Sequence, residues 1–287
     1  MNMVLKKIKT YGEFVMFSHT IFSLPFALIS MLWAANGLPS LKTFFWILIA
    51  LVGARNGANA LNRWVDREID KRNPRTSNRH IPKGIIKEYE VWTIIIFCFL
   101  IFILAAYKLN PICFKLTPIA LFLFVIYSYT KRFTWACHVV LGIACGGAPV
   151  GAWLAVTGKF ALAPFILGAV VMLWVTGFDI IYGTQDINFD RQYGIFSIPA
   201  AFGLRQALII SRIFHFIMIV FLISLYFIMS MSYVYLTGIF ISAILLIVEH
   251  CIVSPKNEKK MKFASYSINQ IVSPLILFFT VIDIFMI

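Results

Sequence analysis

The sequence predicts an all-α integral membrane protein with nine transmembrane helices. Hydrophobic residues make up 61% of its 287 residues and charged residues only 13%, whereas charge is about a quarter of a soluble globular chain. The mean hydropathy is +0.87, and runs such as IFHFIMIVFLISLYFIMSMSYVYL (213–236) exceed the roughly 20 residues that cross a bilayer. A soluble bundle is excluded because its helices would keep a polar face.

Glycine and proline residues divide the apolar runs into the nine predicted spans. The first run follows the basic start MNMVLKKIKT and continues to about Asn36. It contains no small-residue cleavage site, which predicts a retained helix and no removed signal peptide. Gly37, Asn110-Pro111, Gly158 and Pro255 stand at later predicted turns. The predicted spans are 14–36, 41–62, 91–108, 114–130, 135–156, 161–182, 207–229, 231–253 and 268–287.

The connections between these spans differ sharply in positive charge. The N-terminus and loops 63–90, 131–134, 183–206 and 254–267 carry 19 Lys and Arg residues, and the opposite side carries four. By the positive-inside rule, the first side faces the cytoplasm and the protein is a multi-pass protein of the cytoplasmic (inner) membrane. The net charge of +13 is dispersed over short loops, so it indicates contact with the lipid bilayer and no nucleic-acid partner.

No long polar segment separates two halves of the chain, which predicts a single polytopic domain over residues 1–287. The five cysteines include no C-x-x-C pair. Each lies in or beside an apolar run, so we interpret them as small buried residues.

Six of the 12 acidic residues fall in two short windows. In NRWVDREIDKRNPRT (62–76), Asn62, Asp66 and Asp70 follow one another at intervals of four and share one helical face. In GFDIIYGTQDINFD (177–190), Asp186 and Asp190 repeat the spacing and Asp179 lies seven residues earlier. Both windows end even-numbered spans, on the predicted cytoplasmic side. Paired carboxylates beside a membrane could simply be solvated at helix ends, but their number and spacing favour a site that binds magnesium and diphosphate.

These motifs resemble the UbiA superfamily of intramembrane prenyltransferases. The first window is similar to its N-D-x-x-D-x-x-x-D motif, and RNPRTSNRHIPKG (72–84) resembles the R-T-x-x-R-P-x-x-x-G that follows. The second window is similar to D-x-x-Y-x-x-x-D-x-x-x-D, and YSYTKRFT (127–134) to Y-P-x-x-K-R-x-T. Two positions depart from the pattern: Arg63 replaces the Asp that usually follows the first Asn, and Ile81-Pro82 stands where Arg-Pro is common. The resemblance is closest to the 4-hydroxybenzoate polyprenyltransferase-like branch and implies nine helices around a central cavity.

The resemblance implies a magnesium-dependent transfer of a polyprenyl group from polyprenyl diphosphate to a small aromatic acid. Asp66, Asp70, Asp186 and Asp190 would be the catalytic metal ligands. Asn62 would orient the first carboxylates or contact phosphate, and Arg72, Arg75 and Lys131 would bind diphosphate unless they only anchor the loops.

Three further polar groups receive candidate roles. Arg55 lies inside the second span, where a charge needs a partner, so we expect it to bind the carboxylate of the acceptor, with Arg132 as its rival. Asp179 would assist the hydroxyl of the acceptor. We favour an interpretation of His19 and Glu249 as interior polar groups with satisfied hydrogen bonds over one as catalytic residues.

Three alternatives to this function remain. The first concerns the acceptor, which is either 4-hydroxybenzoate or a dihydroxynaphthoate used for menaquinone. A transporter also carries buried charges, but here the charges cluster at one predicted surface and do not lie near the middle of broken helices. A phosphatidyl-transferase would carry a D-G-x-x-A-R signature, which the chain lacks.

Overall fold

The protein is described by a computed structural model that covers residues 3–16, 20–253, 260–261 and 263–286; His19 and part of loop 254–267 lie outside them. The described residues form helices and no strand. The helices are α1 (Met3–Phe14), α2 (Thr20–Ala35), α3 (Leu41–Val65), α4 (Arg67–Arg72), α5 (Glu88–Leu109), α6 (Pro111–Thr130), α7 (Cys137–Thr157), α8 (Leu162–Gly183), α9 (Ile187–Tyr193), α10 (Ile198–Ile228), α11 (Tyr233–Ile252) and α12 (Asn269–Met286). A 3₁₀ turn (Thr184–Asp186) precedes α9, and a π-helical turn (Phe263–Ile268) precedes α12.

Eight helical stretches in the described part of the chain are long and apolar enough to cross a membrane. These are Leu41–Val65, Glu88–Leu109, Pro111–Thr130, Cys137–Thr157, Leu162–Tyr193, Ile198–Ile228, Tyr233–Ile252 and Phe263–Met286. The apolar part of α2 is shorter, at Phe22–Ala35. The all-α membrane class is therefore confirmed, and the predicted count of nine is approximate.

The helices differ from the predicted spans in two places. The predicted first span began at residue 14, but Phe14 ends the separate helix α1, whose three lysines make it unsuited to the bilayer core. The predicted loop 183–206 contains the start of α10, because Ser197 caps the helix and Pro199 follows in its first turn. Gly203 interrupts α10 with φ 79° and ψ 168°, a conformation that favours glycine.

The described helices form two compact units, residues 1–20 with 41–129 and residues 21–40 with 130–287. In the first unit, α3 and α5 approach closely where α3 carries glycine. A Cβ atom at Gly53 would lie 2.7 Å from the carbonyl oxygen of Cys98, so no larger residue fits this contact without movement. Apolar side chains including Phe14, Leu61 and Val91 form the buried cluster of this unit.

The second unit is organised around the fully buried Trp174 of α8. Phe26, Leu222 and Val272 belong to the same apolar cluster, so α2, α10 and α12 meet α8 there. Glycine again allows close helix packing, since a Cβ atom at Gly146 of α7 would lie 2.5 Å from the carbonyl oxygen of Gly168. The single domain over residues 1–287 stays a prediction.

Candidate functional site

The first aspartate cluster lies where α3 passes into α4. Asp66 stands between the two helices with φ −89° and ψ 1°. The backbone N–H of Asp66 donates to the carbonyl of Asn62 at 2.9 Å, and that of Asp70 donates to the carbonyl of Asp66 at 2.8 Å. Asn62 Nδ2 also donates to Asp66 Oδ2 at 3.1 Å. The amide of Asn62 thus orients the first carboxylate, as one of its two predicted roles requires.

Both carboxylates of this cluster are buried, Asp66 with 3% and Asp70 with 4% exposure. Arg79 Nη1 donates to both carboxylate oxygens of Asp70, at 2.6 and 2.8 Å. The loop after α4 turns back to make this contact, since Thr76 Oγ1 donates to the carbonyl of Asp70 and the N–H of Arg79 to the carbonyl of Thr76. This part of the cluster is therefore an ion pair between a buried carboxylate and a loop arginine.

Arg79 was missing from the predicted site residues. Its signal was present, because Arg79 stands four residues after Arg75, the spacing of the two arginines in the R-T-x-x-R motif. The prediction that Ile81 occupies the position of the second arginine was therefore wrong. Of the two arginines that were predicted, Arg72 is exposed and Arg75 is half-buried. Arg55 lies half-buried within α3, well before the cluster.

The second aspartate cluster occupies the 3₁₀ turn and α9. Asp190 is buried, and its Oδ2 accepts a hydrogen bond from Ser197 Oγ at 2.8 Å. Ser197 also caps α10, because its side chain accepts the N–H of Ala200. One serine therefore fixes both the start of α10 and the orientation of a predicted metal ligand.

Lys131 joins this second cluster from the loop after α6. Its carbonyl accepts the N–H of Phe196 at 2.8 Å, which ties the loop to the segment that ends at Ser197. Lys131 and Asp186 both act electrostatically on Asp190. The positive charge is therefore near the paired carboxylates, whereas Arg132 is exposed.

Asp179 pairs with a histidine that sequence reasoning missed. His138 Nδ1 donates to Asp179 Oδ2 at 2.8 Å. The side chain of His138 is 8% exposed and that of Asp179 27%. Within the described chain, His138 Nε2 is buried and has no hydrogen-bond partner. Asp179 thus satisfies one nitrogen of the buried imidazole and leaves the other unsatisfied. No short motif joins positions 41 residues apart, so the sequence offered no signal for this contact.

The two aspartate pairs supply the oxygen ligands that magnesium prefers. Buried carboxylates are costly unless paired or metal-bound, and Asp66, Asp70 and Asp190 are all buried. The donor chemistry of each pair therefore fits a hard divalent cation. At Asp70, a cation would share the carboxylate with Arg79 or displace it.

Relatives of the chain carry a consistent set of names. The 4-hydroxybenzoate octaprenyltransferase of Vibrio atlanticus (strain LGP32) is 27% identical over 214 residues, which cover 74% of this chain and 75% of the relative. The apo structure of a UbiA homologue from Aeropyrum pernix K1 superposes with a TM-score of 0.85 at 30% identity. The superposition covers 93% of this chain and 98% of that one.

A more distant structure shares the fold. The UbiA homologue from Archaeoglobus fulgidus, bound to DMAPP and Mg²⁺, has a TM-score of 0.63 at 18% identity, over 97% of this chain and 86% of that chain. The UbiA prenyltransferase family model matches residues 23–271, most of the sequence. The protein therefore belongs to the UbiA prenyltransferase family.

Proposed function

We propose that the protein transfers a polyprenyl group from polyprenyl diphosphate to 4-hydroxybenzoate in quinone biosynthesis, and that its reactive loops face the cytoplasm. The observation that carries the proposal is the pair of aspartate clusters with adjoining cations, Asp66 and Asp70 near Arg79 and Asp186 and Asp190 near Lys131. The relative from Vibrio is named for this acceptor, and the Archaeoglobus homologue binds a prenyl diphosphate with magnesium.

Asp66, Asp70, Asp186 and Asp190 are the proposed magnesium ligands. When bound, magnesium neutralises the charge that develops on the departing diphosphate. Lys131, Arg72 and Arg75 add charge-assisted hydrogen bonds to phosphate oxygens. Arg79 either joins them or continues to position Asp70.

The proposed reaction is an alkylation of the aromatic ring. A ring carbon next to the hydroxyl-bearing carbon attacks the allylic carbon, the carbon–oxygen bond breaks, and the diphosphate leaves with the electron pair. The ring then loses a proton and regains aromaticity. Apolar residues exclude water from the allylic carbon, which would otherwise react with it.

The acceptor has two polar ends that need partners. Arg55 is the proposed partner of its carboxylate, with Arg132 as the competing candidate. His138 Nε2 is the proposed acceptor of its hydroxyl proton, and Asp179 holds the ring of His138 in the tautomer that leaves Nε2 able to accept. Removing that proton makes the ring more electron-rich and therefore more nucleophilic.

The experiment is a product assay with the purified full chain in lipid vesicles. Magnesium, a polyprenyl diphosphate and one acceptor at a time are supplied, and the product is identified by mass. 4-Hydroxybenzoate should be prenylated and the dihydroxynaphthoate should not. Asp66→Asn and Asp186→Asn should each abolish most turnover, whereas Glu68→Gln, at an exposed acid between the first two aspartates, should not. Full activity in excess chelator would reject the magnesium role.

A further inference from the structure

A second group of metal-ligating side chains lies within the unit formed by residues 21–40 and 130–287. One ligand atom each from His215 of α10 and from Glu249 and His250 of α11 lies within 4.8 Å of the others. His215 Nδ1 is 3.0 Å from His250 Nε2 and 3.6 Å from Glu249 Oε2. None of these residues takes part in the proposed prenyl transfer.

The ring of His215 is oriented from its far side. Its Nε2–H donates to the carbonyl of Trp174 at 3.3 Å. In a neutral imidazole the other nitrogen then carries the lone pair, so Nδ1 presents an acceptor to His250 and Glu249. Metal-binding histidines are typically held in this way, by a hydrogen bond from the second ring nitrogen to a carbonyl or carboxylate.

The carboxylate of Glu249 is also held from one side. Glu249 is fully buried, and its Oε1 accepts a hydrogen bond from Asn269 Nδ2 at 2.8 Å. Trp174 Nε1 donates to Asn269 Oδ1 at 2.6 Å, which fixes the orientation of that amide. Trp174 therefore supports two members of the cluster, His215 through its carbonyl and Glu249 through Asn269.

One oxygen remains to be accounted for. Glu249 Oε2 is buried and has no hydrogen-bond partner among the residues that the structure describes. A hydrogen bond between His215 and His250 satisfies both rings but leaves this oxygen unsatisfied, and an unsatisfied buried carboxylate oxygen is costly. A cation bound by all three atoms would satisfy the whole cluster.

The separations suit a small transition-metal ion. Tetrahedral bonds of about 2.1 Å to nitrogen and oxygen place neighbouring ligands about 3.4 Å apart. The two separations from His215 Nδ1 are close to this value, at 3.0 and 3.6 Å, and the third pair of ligand atoms lies within 4.8 Å. Two imidazoles with one carboxylate favour zinc or a similar metal over magnesium. We propose that His215, Glu249 and His250 bind one divalent transition-metal ion of the zinc class, which links α10 to α11.

The test uses the purified full chain, stripped with chelator and titrated with Co²⁺ as a spectroscopic probe. One equivalent should give the visible absorption of a four-coordinate ion, and Zn²⁺ should displace it. His250→Gln and Glu249→Gln should each weaken binding by at least roughly 10–100-fold. Asp66→Asn combined with Asp186→Asn should leave the Co²⁺ spectrum unchanged, which separates this site from the proposed magnesium ligands.

A third variant preserves every ligand. Arg212 is exposed, lies one turn before His215, and acts electrostatically on His250. Arg212→Gln removes a charge that repels a cation, so it should tighten Co²⁺ binding. If the unchanged chain gives no four-coordinate spectrum, or if His250→Gln binds Co²⁺ equally well, the proposed site does not exist.

Discussion

Arg79 Nη1 lies 2.6 and 2.8 Å from the two carboxylate oxygens of Asp70. The contact joins a loop arginine to a proposed metal ligand that is almost fully buried, because Asp70 is 4% exposed. Asp70 therefore has a partner that neutralises it when no cation is bound. Arg79 either moves to the diphosphate when magnesium binds or continues to position Asp70 as a ligand.

We expect Arg79→Gln to lower turnover at fixed magnesium by roughly tenfold or more. A hydrogen bond to a charged group is worth about 1.5–3 kcal/mol, and each 1.4 kcal/mol corresponds to about a factor of ten. Lys71→Gln, which removes an exposed charge in the last turn of α4, is the control. Steady-state assays over a range of magnesium concentrations measure the effect.

A double-mutant cycle that combines Arg79→Gln with Asp70→Asn shows whether Asp70 binds magnesium or only holds Arg79. If Asp70 serves only to hold Arg79, the double variant should be no worse than either single variant. Magnesium binding by Asp70 predicts a larger loss for Asp70→Asn than for Arg79→Gln.

Most membrane helices could be predicted because each apolar run is a local property of the sequence. The starts of α3 and α7 fall within two residues of their predicted positions. The start of α10 was missed because the cap of Ser197 and Pro199 precedes the apolar run. The pairs Arg79–Asp70 and His138–Asp179 depend on how loops and helices pack, which residue spacing does not determine.

Ser197→Ala should destabilise the protein and also weaken magnesium-dependent activity. The change removes the N-cap of α10, worth about 0.5–2 kcal/mol, and the hydrogen bond to Asp190. We expect a lower unfolding temperature and a higher magnesium concentration for half-maximal rate.

Ser232→Ala is the matched control for Ser197. Ser232 caps α11 and donates to the carboxylate of Asp283, so it makes the same two kinds of contact. This variant should lose similar stability while its magnesium dependence stays unchanged. Equal shifts in the magnesium dependence of both variants would show that Ser197 acts only through stability.

His138→Gln should slow prenyl transfer without changing the KM for the prenyl diphosphate. Glutamine can still donate to Asp179 but cannot take a proton from the acceptor. The loss of rate at low pH, where a catalytic base becomes protonated, should therefore disappear from the pH profile of kcat. An unchanged profile in His138→Gln would assign the histidine a packing role.

The proposed membrane orientation places Lys83 in the cytoplasm and Lys159 on the opposite side. Both residues are exposed, and the prediction rests on 19 against four positive residues. Single cysteines introduced at each position of a cysteine-free chain should react from opposite sides with a membrane-impermeant reagent. Labelling of both from one side would contradict the topology.

Arg55 is a half-buried guanidinium within a helix long and apolar enough to cross the membrane. A charge at the centre of a membrane helix costs about 2.5–3.5 kcal/mol on insertion scales, which marks Arg55 as a functional candidate. Asp66 follows 11 residues later, about 16 Å along a helix, too far for a direct pair. A carboxylate-bearing acceptor would match the planar donors of the guanidinium.

Arg55→Leu should therefore raise the apparent KM for 4-hydroxybenzoate far more than that for the prenyl diphosphate. Loss of a charge-assisted hydrogen bond of about 1.5–3 kcal/mol predicts an increase of roughly tenfold or more. Initial rates with each substrate varied in turn measure both constants. Arg132→Leu, measured in parallel, tests the competing candidate. Equal increases for both substrates in Arg55→Leu would indicate a diphosphate or structural role, and an unchanged KM for the acceptor would remove Arg55 from the site.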